Sequence, residues 1–249
     1  MRTSLVPGML DMLAWNLNRG TADVRLFEAG HVFEMEEERS TERKMLSLGA
    51  IGNAVEPGVH AAGRAYTFFD LKGDLETVLG AFEVGSIQFD AQACGHYHPG
   101  RSARVVVNGT TIALFGQLHP EVAGARKLKQ EVYIAEIYLD RLFTLDLRMP
   151  RYQPLSRFPA VDRDFSFVFN ESVSSAAIQA AVRALSIAEL QNFRPAEIFR
   201  GGSVPQGKYS VLLRAQFQST ERTLRDDEVA QWSARIIQAL EAIGGTLRS

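Results

Sequence analysis

The C-terminal part of the sequence alternates strand and helix patterns in an order that few folds accommodate. Apolar residues recur at every second position in Asp164–Asn170 and again in Lys208–Ser219, which is typical of strands with one buried face. Helical spacing follows the first strand in Val173–Leu185 and the later strand from Asp226 onward. With an irregular strand over Leu190–Arg200 and a short last strand, the order is β-α-β-β-α-β, which predicts a ferredoxin-like sandwich. Two helices would then cover one face of the sheet and leave the other free for a ligand.

The residues before Tyr152 mix helix and strand patterns and predict an antiparallel sheet with helices packed on it. Helices are expected over Pro7–Arg19 and from about Asp70 to Phe82. Asn108-Gly109 accepts positive φ angles between two apolar strand segments, so it predicts a tight hairpin. The other strand candidates are Val24–Glu28, His31–Glu34, Met45–Ile51 and Val132–Leu139. Between them, the charge run Glu34–Lys44 predicts a solvated loop or hairpin tip.

Composition limits the kinds of partner. The 249 residues are 46% hydrophobic and 22% charged, with a net charge of -2, which argues against coating nucleic acid through bulk charge. From Tyr152 onward there are 11 Lys and Arg against 10 Asp and Glu, and ten of these cations are arginine. Arginine suits bidentate contacts to phosphates and base edges, so local RNA binding is permitted. The single cysteine, Cys94, cannot form an internal disulfide and is expected to be a small buried hydrophobe. The absence of an apolar run of about 20 residues predicts a cytoplasmic protein.

Few residues suggest chemistry by themselves. His96 and His98 could supply two metal ligands, with Asp70, Asp74 or Glu76 completing the site. The surrounding letters CGHYHPGR contain proline and glycine, however, and therefore predict a turn in a structural or surface loop. Neither a phosphate-binding glycine loop nor a nucleophile elbow is present in the sequence. The residues alone therefore single out no active site.

A second histidine motif, His119-Pro120-Glu121, is expected to open a short helical segment as a structural corner. Two prolines in LRMPRYQPLSRF, residues 147–158, disfavour helix and predict a linker.

Read as whole phrases, the chain resembles the beta subunit of bacterial phenylalanyl-tRNA synthetase from end to end. The first phrases are MRTSLVPGMLDMLAWNLNRG, DVRLFEAGHVFE, FFDLKGDLETVL, HYHPGRSARV and IALFGQLHPEV. The later ones are RFPAVDRDFSFVF, EIFRGGSVPQGKYSVLLRAQFQSTERTL and GTLRS. Family members are much longer on the N-terminal side, so the resemblance implies that this chain is a C-terminal fragment.

The resemblance implies an α+β fold in two parts. Residues 1–148 would form a class II aminoacyl-tRNA synthetase-like, non-catalytic module, residues 149–156 a linker, and residues 157–249 a ferredoxin-fold anticodon-binding domain. The run Arg25-Leu26-Phe27-Glu28 is at best a remnant of a class II arginine motif, and the glycine-rich arginine motif is absent. The implied partners are the alpha subunit, in a two-alpha, two-beta assembly, and phenylalanine tRNA, with no membrane or DNA partner. The resemblance implies no cofactor for this fragment, and ATP and Mg²⁺ for the full enzyme.

The family's anticodon-binding face implies which residues of this chain contact RNA. Glu197 and Phe199 stand where the family usually has Asp and Tyr, and could accept from a base edge and stack on a base, respectively. The exchange of Tyr for Phe removes a hydroxyl and any hydrogen bond it makes. The full set of RNA-binding candidates is Glu197, Phe199, Arg200, Ser210, Arg214 and Arg248.

Other interpretations of these residues stay open. Glu197 and Arg200 would also suit a solvated surface, Phe199 would suit half-buried packing, and Arg163 is expected to form a structural salt bridge with Asp164. Two other functions stay open as well: a metal-dependent hydrolase using His96 and His98, and a ferredoxin-like domain that senses a small ligand.

Overall fold

The computed structural model describes residues 2–36, 39–91, 95–152 and 154–248. The chain divides into two compact units, Met1–Pro150 and Arg151–Ser249, and the division falls within the proline-containing segment 147–158. Each unit combines an antiparallel sheet with helices, so the fold class is α+β, as predicted. The bounds of the linker at 149–156 stay a prediction. Within the described ranges, no helix has the length and apolar character that crossing a bilayer requires.

The first unit is built on a six-stranded sheet with the strand order β1-β2-β8-β7-β6-β5. Every neighbouring pair of strands in it is antiparallel. Its helices are α1 (Val6–Leu17), α2 (Phe68–Leu79), α3 (Pro120–Ala125) and α4 (Leu139–Leu142). Its strands are β1 (Val24–Glu36), β2 (Arg39–Ile51), β3 (Asn53–Val55), β4 (Arg64–Ala65), β5 (Ile87–Asp90), β6 (Tyr97–Val107), β7 (Thr110–Leu118) and β8 (Val132–Tyr138).

Helices cover both faces of this sheet. Leu71, Leu75 and Leu79 of α2 join one core with alternate residues of the central strands. Met9 and Leu13 of α1 join a second core on the other face. Strand alternation explains the division, because successive residues of a strand point to opposite faces. The predicted hairpin is confirmed, since Asn108 and Gly109 have φ angles of 49° and 78° between β6 and β7.

The first hairpin is longer and more regular than the sequence predicts. β1 runs without a break through Gly30, where two short strands were expected. A Cβ at Gly30 would lie 2.3 Å from a guanidinium nitrogen of Arg2, whose Nε donates to the His31 carbonyl at 3.0 Å. Gly30 is therefore a crossing point for the N-terminal segment and not a strand end. The charge run Glu34–Lys44 belongs largely to the paired strands β1 and β2, while residues 37 and 38 lie outside the described residues.

The turn predicted over CGHYHPGR is confirmed only at Gly95-His96 and is wrong beyond it, because Tyr97–Gly100 begins strand β6. The pairing of β6 with β7 shifts register between Tyr97 and Ser102, which accommodates a proline that has no N–H to donate. Cys94, which the sequence predicts to be a small buried hydrophobe, lies outside the described residues.

The second unit has the predicted β-α-β-β-α-β order. Its elements are β9 (Val161–Asn170), α5 (Ser175–Arg183), β10 (Leu190–Phe199), β11 (Lys208–Phe217), α6 (Asp226–Ala242) and β12 (Thr246–Leu247). The sheet order β10-β11-β9-β12, antiparallel throughout, is that of a ferredoxin-like fold. Phe165, Phe167 and Phe169 of β9 pack with Ile236 and Leu240 of α6 in one core. Both helices therefore lie on one face of the sheet, as expected.

Candidate nucleic-acid interface

The uncovered face of the second unit presents side chains in rows that run across the sheet. Strand register defines four rows, each perpendicular to the strands. The rows are Phe199–Ser210–Val168–Thr246, Glu197–Leu212–Ser166–Arg248, Arg194–Arg214–Asp164 and Asn192–Gln216–Asp162. Five of the six predicted RNA-binding residues lie on this surface, which is called the open face below.

In the first row, Phe199 projects into solvent and Ser210 lies beneath its neighbours. Phe199 is 55% exposed at the end of β10, the edge strand, which suits a ring that stacks on a base. Ser210 is only 3% exposed. The structure thus makes Ser210 part of the floor of the open face rather than a projecting contact.

The second row carries opposite charges at its two ends. Glu197 is exposed at one end, and Arg248 follows β12 at the other. The backbone N–H of Arg248 donates to the Ser166 carbonyl at 2.8 Å, and its guanidinium reaches Ser203 Oγ at 3.4 Å. Leu212 lies between Glu197 and Ser166 in register, so the centre of the row combines an apolar side chain with a hydroxyl.

The third row contains a bidentate ion pair. Arg214 donates from Nε and from a terminal nitrogen to the two carboxylate oxygens of Asp164, both at 2.7 Å. This pairing lowers the pKa of Asp164 and raises the pKa of Arg214. The expected Arg163–Asp164 salt bridge is wrong, because neighbours in a strand point to opposite faces. Arg163 instead donates to the Asp162 carbonyl.

Arg194 lies directly opposite Arg214 and is not among the RNA-binding residues predicted from the sequence. In a regular strand, residues two positions apart share a face. Pro195 and Phe193 would then share the face of Glu197, and Arg194 would lie on the opposite face. The register shift between Pro195 and Glu197 reverses that parity, because a bulge inserts one extra residue into the strand. Sequence alone signals only that a proline interrupts the strand here.

Arg200 is the predicted residue that the structure places elsewhere. Its guanidinium carbon lies 5.7 Å from the ring centroid of Tyr209. Tyr209 belongs to the core between sheet and helices. Arg200 could therefore contact RNA only from the rim of the sheet.

In the first unit, the carboxylates considered as metal ligands have other partners. Asp70 pairs with Arg64 at 2.7 Å, and this pairing lowers its pKa. Asp74 accepts from the Tyr66 hydroxyl at 2.5 Å, and Lys72 pairs with Glu76. Within residues 2–36, 39–91, 95–152 and 154–248, no group of three His, Cys, Asp or Glu side chains is arranged to hold a metal.

The two histidines themselves are in different environments. His98 Nδ1 accepts from the Gly100 backbone at 3.1 Å. His96 is partly buried, which lowers its pKa against the opposing effect of Glu136. The short helix after His119 is confirmed, and His119 Nδ1 accepts from the Glu121 backbone at 3.3 Å as the residue that caps it.

Arg25 and Glu28, which the sequence predicts to be at best a remnant of a class II motif, make structural contacts on opposite faces of β1. Arg25 donates to the Ala54 carbonyl at 2.8 Å and lies 5.1 Å from the Tyr66 ring centroid. Glu28 pairs with Arg2 at 2.6 Å. Because they are three positions apart on a strand, their side chains point to opposite faces and cannot act on one ligand together.

An apolar groove on the first unit is open to solvent. Met12 and Trp15 of α1 and Phe27 of β1 are its most exposed apolar residues, and Phe27 is 76% exposed. The groove encloses about 600 Å³. Clusters of exposed large apolar side chains of this kind are typical of protein-binding surfaces.

Comparison with known protein families matches one model to each unit. The model of the phenylalanyl tRNA synthetase beta chain CLM domain matches residues 1–139, and that of the ferredoxin-fold anticodon binding domain matches residues 156–248. The open face thus lies on an anticodon-binding type of domain. The chain belongs to the phenylalanyl-tRNA synthetase beta chain family, as its phrases predict.

Individual relatives agree with the family match. The phenylalanine–tRNA ligase beta subunit of Symbiobacterium thermophilum is 34% identical over 100% of this chain and 28% of its own length. That of Halalkalibacterium halodurans is 34% identical over 99% of this chain and 31% of its own. The chain therefore spans about three-tenths of the length of these curated relatives. Among solved structures, a pyrrolysyl-tRNA synthetase from Desulfitobacterium hafniense covers 58% of this chain and 49% of its own with 15% identity and a TM-score of 0.45, too distant to support an argument.

Proposed function

We propose that this chain supplies two non-catalytic parts of phenylalanine–tRNA ligase, the enzyme that joins L-phenylalanine to phenylalanine tRNA with ATP. The first unit supports the alpha subunit, and the second binds the anticodon region of the tRNA. The observation that carries this proposal is the open face, where the exposed Phe199 ring adjoins charged groups on a sheet whose other face is covered.

Each residue has a role that follows from its position. Phe199 stacks on an unpaired base of the anticodon loop, which is sequence-tolerant because every base has a π face. Glu197 accepts a hydrogen bond from a base amino group, and Arg248 contacts a base or phosphate at the far end of the same row. Ser210 forms the floor beneath them, and Arg214 shapes the face through its pair with Asp164. Arg200 acts only at the rim.

The first unit does not fit an ATP and Mg²⁺ site, so we assign no catalytic step to this chain. Arg25 and Glu28 face opposite sides of β1, and the carboxylates Asp70, Asp74 and Glu76 have protein partners. ATP and Mg²⁺ are assigned to the full enzyme, with catalysis in the alpha subunit of a two-alpha, two-beta assembly in the cytoplasm.

We also propose that the apolar groove of Met12, Trp15 and Phe27 receives the alpha subunit. The area is exposed in the isolated chain, and burying it in the assembly would remove an apolar surface from water. The purified chain is expected to form no phenylalanyl adenylate, and measurable adenylate formation would contradict the supporting role.

A salt-series titration tests the RNA-binding part. The chain is mixed with labelled phenylalanine tRNA and, separately, a non-cognate tRNA at several salt concentrations. We expect tighter, salt-dependent binding of the phenylalanine tRNA that weakens in Phe199→Ala. Equal binding of both tRNAs, or no effect of Phe199→Ala, would contradict anticodon recognition on the open face. A thermal shift with a small ligand and none with tRNA would favour the ligand-sensing alternative.

A further inference from the structure

Arg194 occupies a position on the open face that differs from that of any other arginine there. It lies on β10, the edge strand, between two register shifts, one between Leu190 and Asn192 and one between Pro195 and Glu197. The second shift brings it onto the same face as Glu197 and Phe199. An RNA strand with a base over Phe199 can therefore run its backbone along the outer side of β10, past Arg194.

The charges in its row are unequally compensated. Arg214 is held by both oxygens of Asp164, so its charge and its donors on that side are already satisfied. Arg194 is exposed, and within the described residues of the second unit it has no hydrogen bond or ion pair. Two arginines directly opposite on neighbouring strands repel each other, and an anion between them relieves that repulsion. Asp164 is hydrogen-bonded to Arg214 only, although its charge also acts on Arg194.

We propose that Arg194 is a phosphate-binding residue for the RNA strand that crosses the open face, and that Asp164 restrains Arg214 from that role. The inference rests on the proposed RNA binding by the second unit and identifies the group that contacts the sugar–phosphate backbone. Base contacts at Glu197 and Phe199 then select the sequence, while Arg194 contributes affinity that is independent of it.

The test measures how binding of phenylalanine tRNA by the 249-residue chain depends on salt. Removing one phosphate contact lowers the slope of log K against log salt by about 0.7 to 0.9, or about fivefold in affinity near 0.15 M salt. We expect this loss in Arg194→Ala. Arg194→Lys should keep the slope, because a lysine supplies the same charge. Arg214→Ala should change the slope by less than half as much, and Asp164→Asn should increase it by freeing Arg214.

Arg163→Ala is the matched control, because Arg163 is exposed on β9, the next strand but one from β10, and points to the opposite face. Thermal melts establish that each variant is folded. An unchanged slope in Arg194→Ala, or a larger loss in Arg214→Ala than in Arg194→Ala, would overturn the inference. If Phe199→Ala still weakens binding in that case, the proposed function stands and only the role of Arg194 is lost. If the parent chain binds neither tRNA, both proposals are overturned.

Discussion

The two units differ in how many faces of their sheets are covered. The six-stranded sheet of the first unit has α1 on one face and α2 on the other, so its surface offers a groove beside a helix. The four-stranded sheet of the second unit has helices on one face only, so its other face offers rows of exposed side chains. A groove suits a protein partner, whereas rows of side chains on an uncovered sheet face suit an extended strand of RNA.

The largest effect is expected where the covered face of the second unit is damaged. Phe167 is fully buried and stacks on Phe169 with ring centroids 5.7 Å apart. Phe167→Ala should lower the free energy of unfolding of the second unit by about 3–5 kcal/mol. The chain has two tryptophans, Trp15 in the first unit and Trp232 against Phe217 in the second, so single-tryptophan variants report each unit separately. Equal shifts of both transitions in denaturant would show that the units do not unfold independently.

The second prediction concerns the groove of the first unit. Phe27→Ser should weaken association with the alpha subunit by about 2 kcal/mol, or about 30-fold, because central aromatic residues dominate protein interfaces. Phe69→Ser is the control, since Phe69 is 77% exposed against 76% for Phe27 but lies on α2 outside the groove. Sedimentation of each variant with the alpha subunit measures the effect. An equal loss in both variants would argue against a specific role of the groove.

The third prediction concerns the open face. Phe199→Ala should weaken binding of phenylalanine tRNA by about tenfold, since one base stack is worth about 1–3 kcal/mol. The melting temperature should hardly change, because the ring is more than half exposed. Phe199→Tyr keeps the stacking surface and should preserve binding. A fall in melting temperature as large as that of Phe167→Ala would show that Phe199 serves packing instead.

The smallest expected effect concerns an arrangement of hydrogen bonds that occurs at the start of one helix in each unit. In each unit the third residue of a helix, Asp70 in α2 and Glu228 in α6, pairs with an arginine six residues earlier. Each carboxylate also accepts from the backbone N–H of the residue just before its helix. The bond from Arg222 is the main cause that lowers the pKa of Glu228 to about 2.

Because this pKa is lower in the folded chain, the stabilisation is present above the ordinary glutamate pKa and is lost as the pH falls toward 2. Glu228→Gln should therefore be less stable than the parent chain at pH 7 and approach it in stability at low pH. Urea unfolding of the second unit, followed by Trp232 at pH 7 and pH 3, measures the difference. A constant difference between the two proteins at both pH values would contradict this assignment.

Regular patterns were predictable from the sequence because their causes are local. Val211, Leu213, Ala215 and Phe217 alternate along β11, and all four are buried as expected. Asn108-Gly109 forms the expected hairpin because its two positive φ angles depend on those residues alone.

Features that depend on strand register were not predictable. The partner of Asp164 is Arg214, 50 residues away, and only the pairing of β9 with β11 brings them together. The low exposure of Ser210 follows from its neighbours on both adjacent strands. Arg194 was missed for the same reason, since a one-residue bulge changes which face a side chain occupies.

The irregular course of β10 also affects how the molecule behaves at high concentration. An edge strand with unpaired backbone groups is a template for the edge of another sheet, and neighbouring molecules can polymerise through it. In β10 the two register shifts and Pro195 interrupt the row of backbone donors, so a second chain cannot continue the ladder along its length. The bulge that turns Arg194 toward the open face thus also protects the second unit from edge-to-edge aggregation.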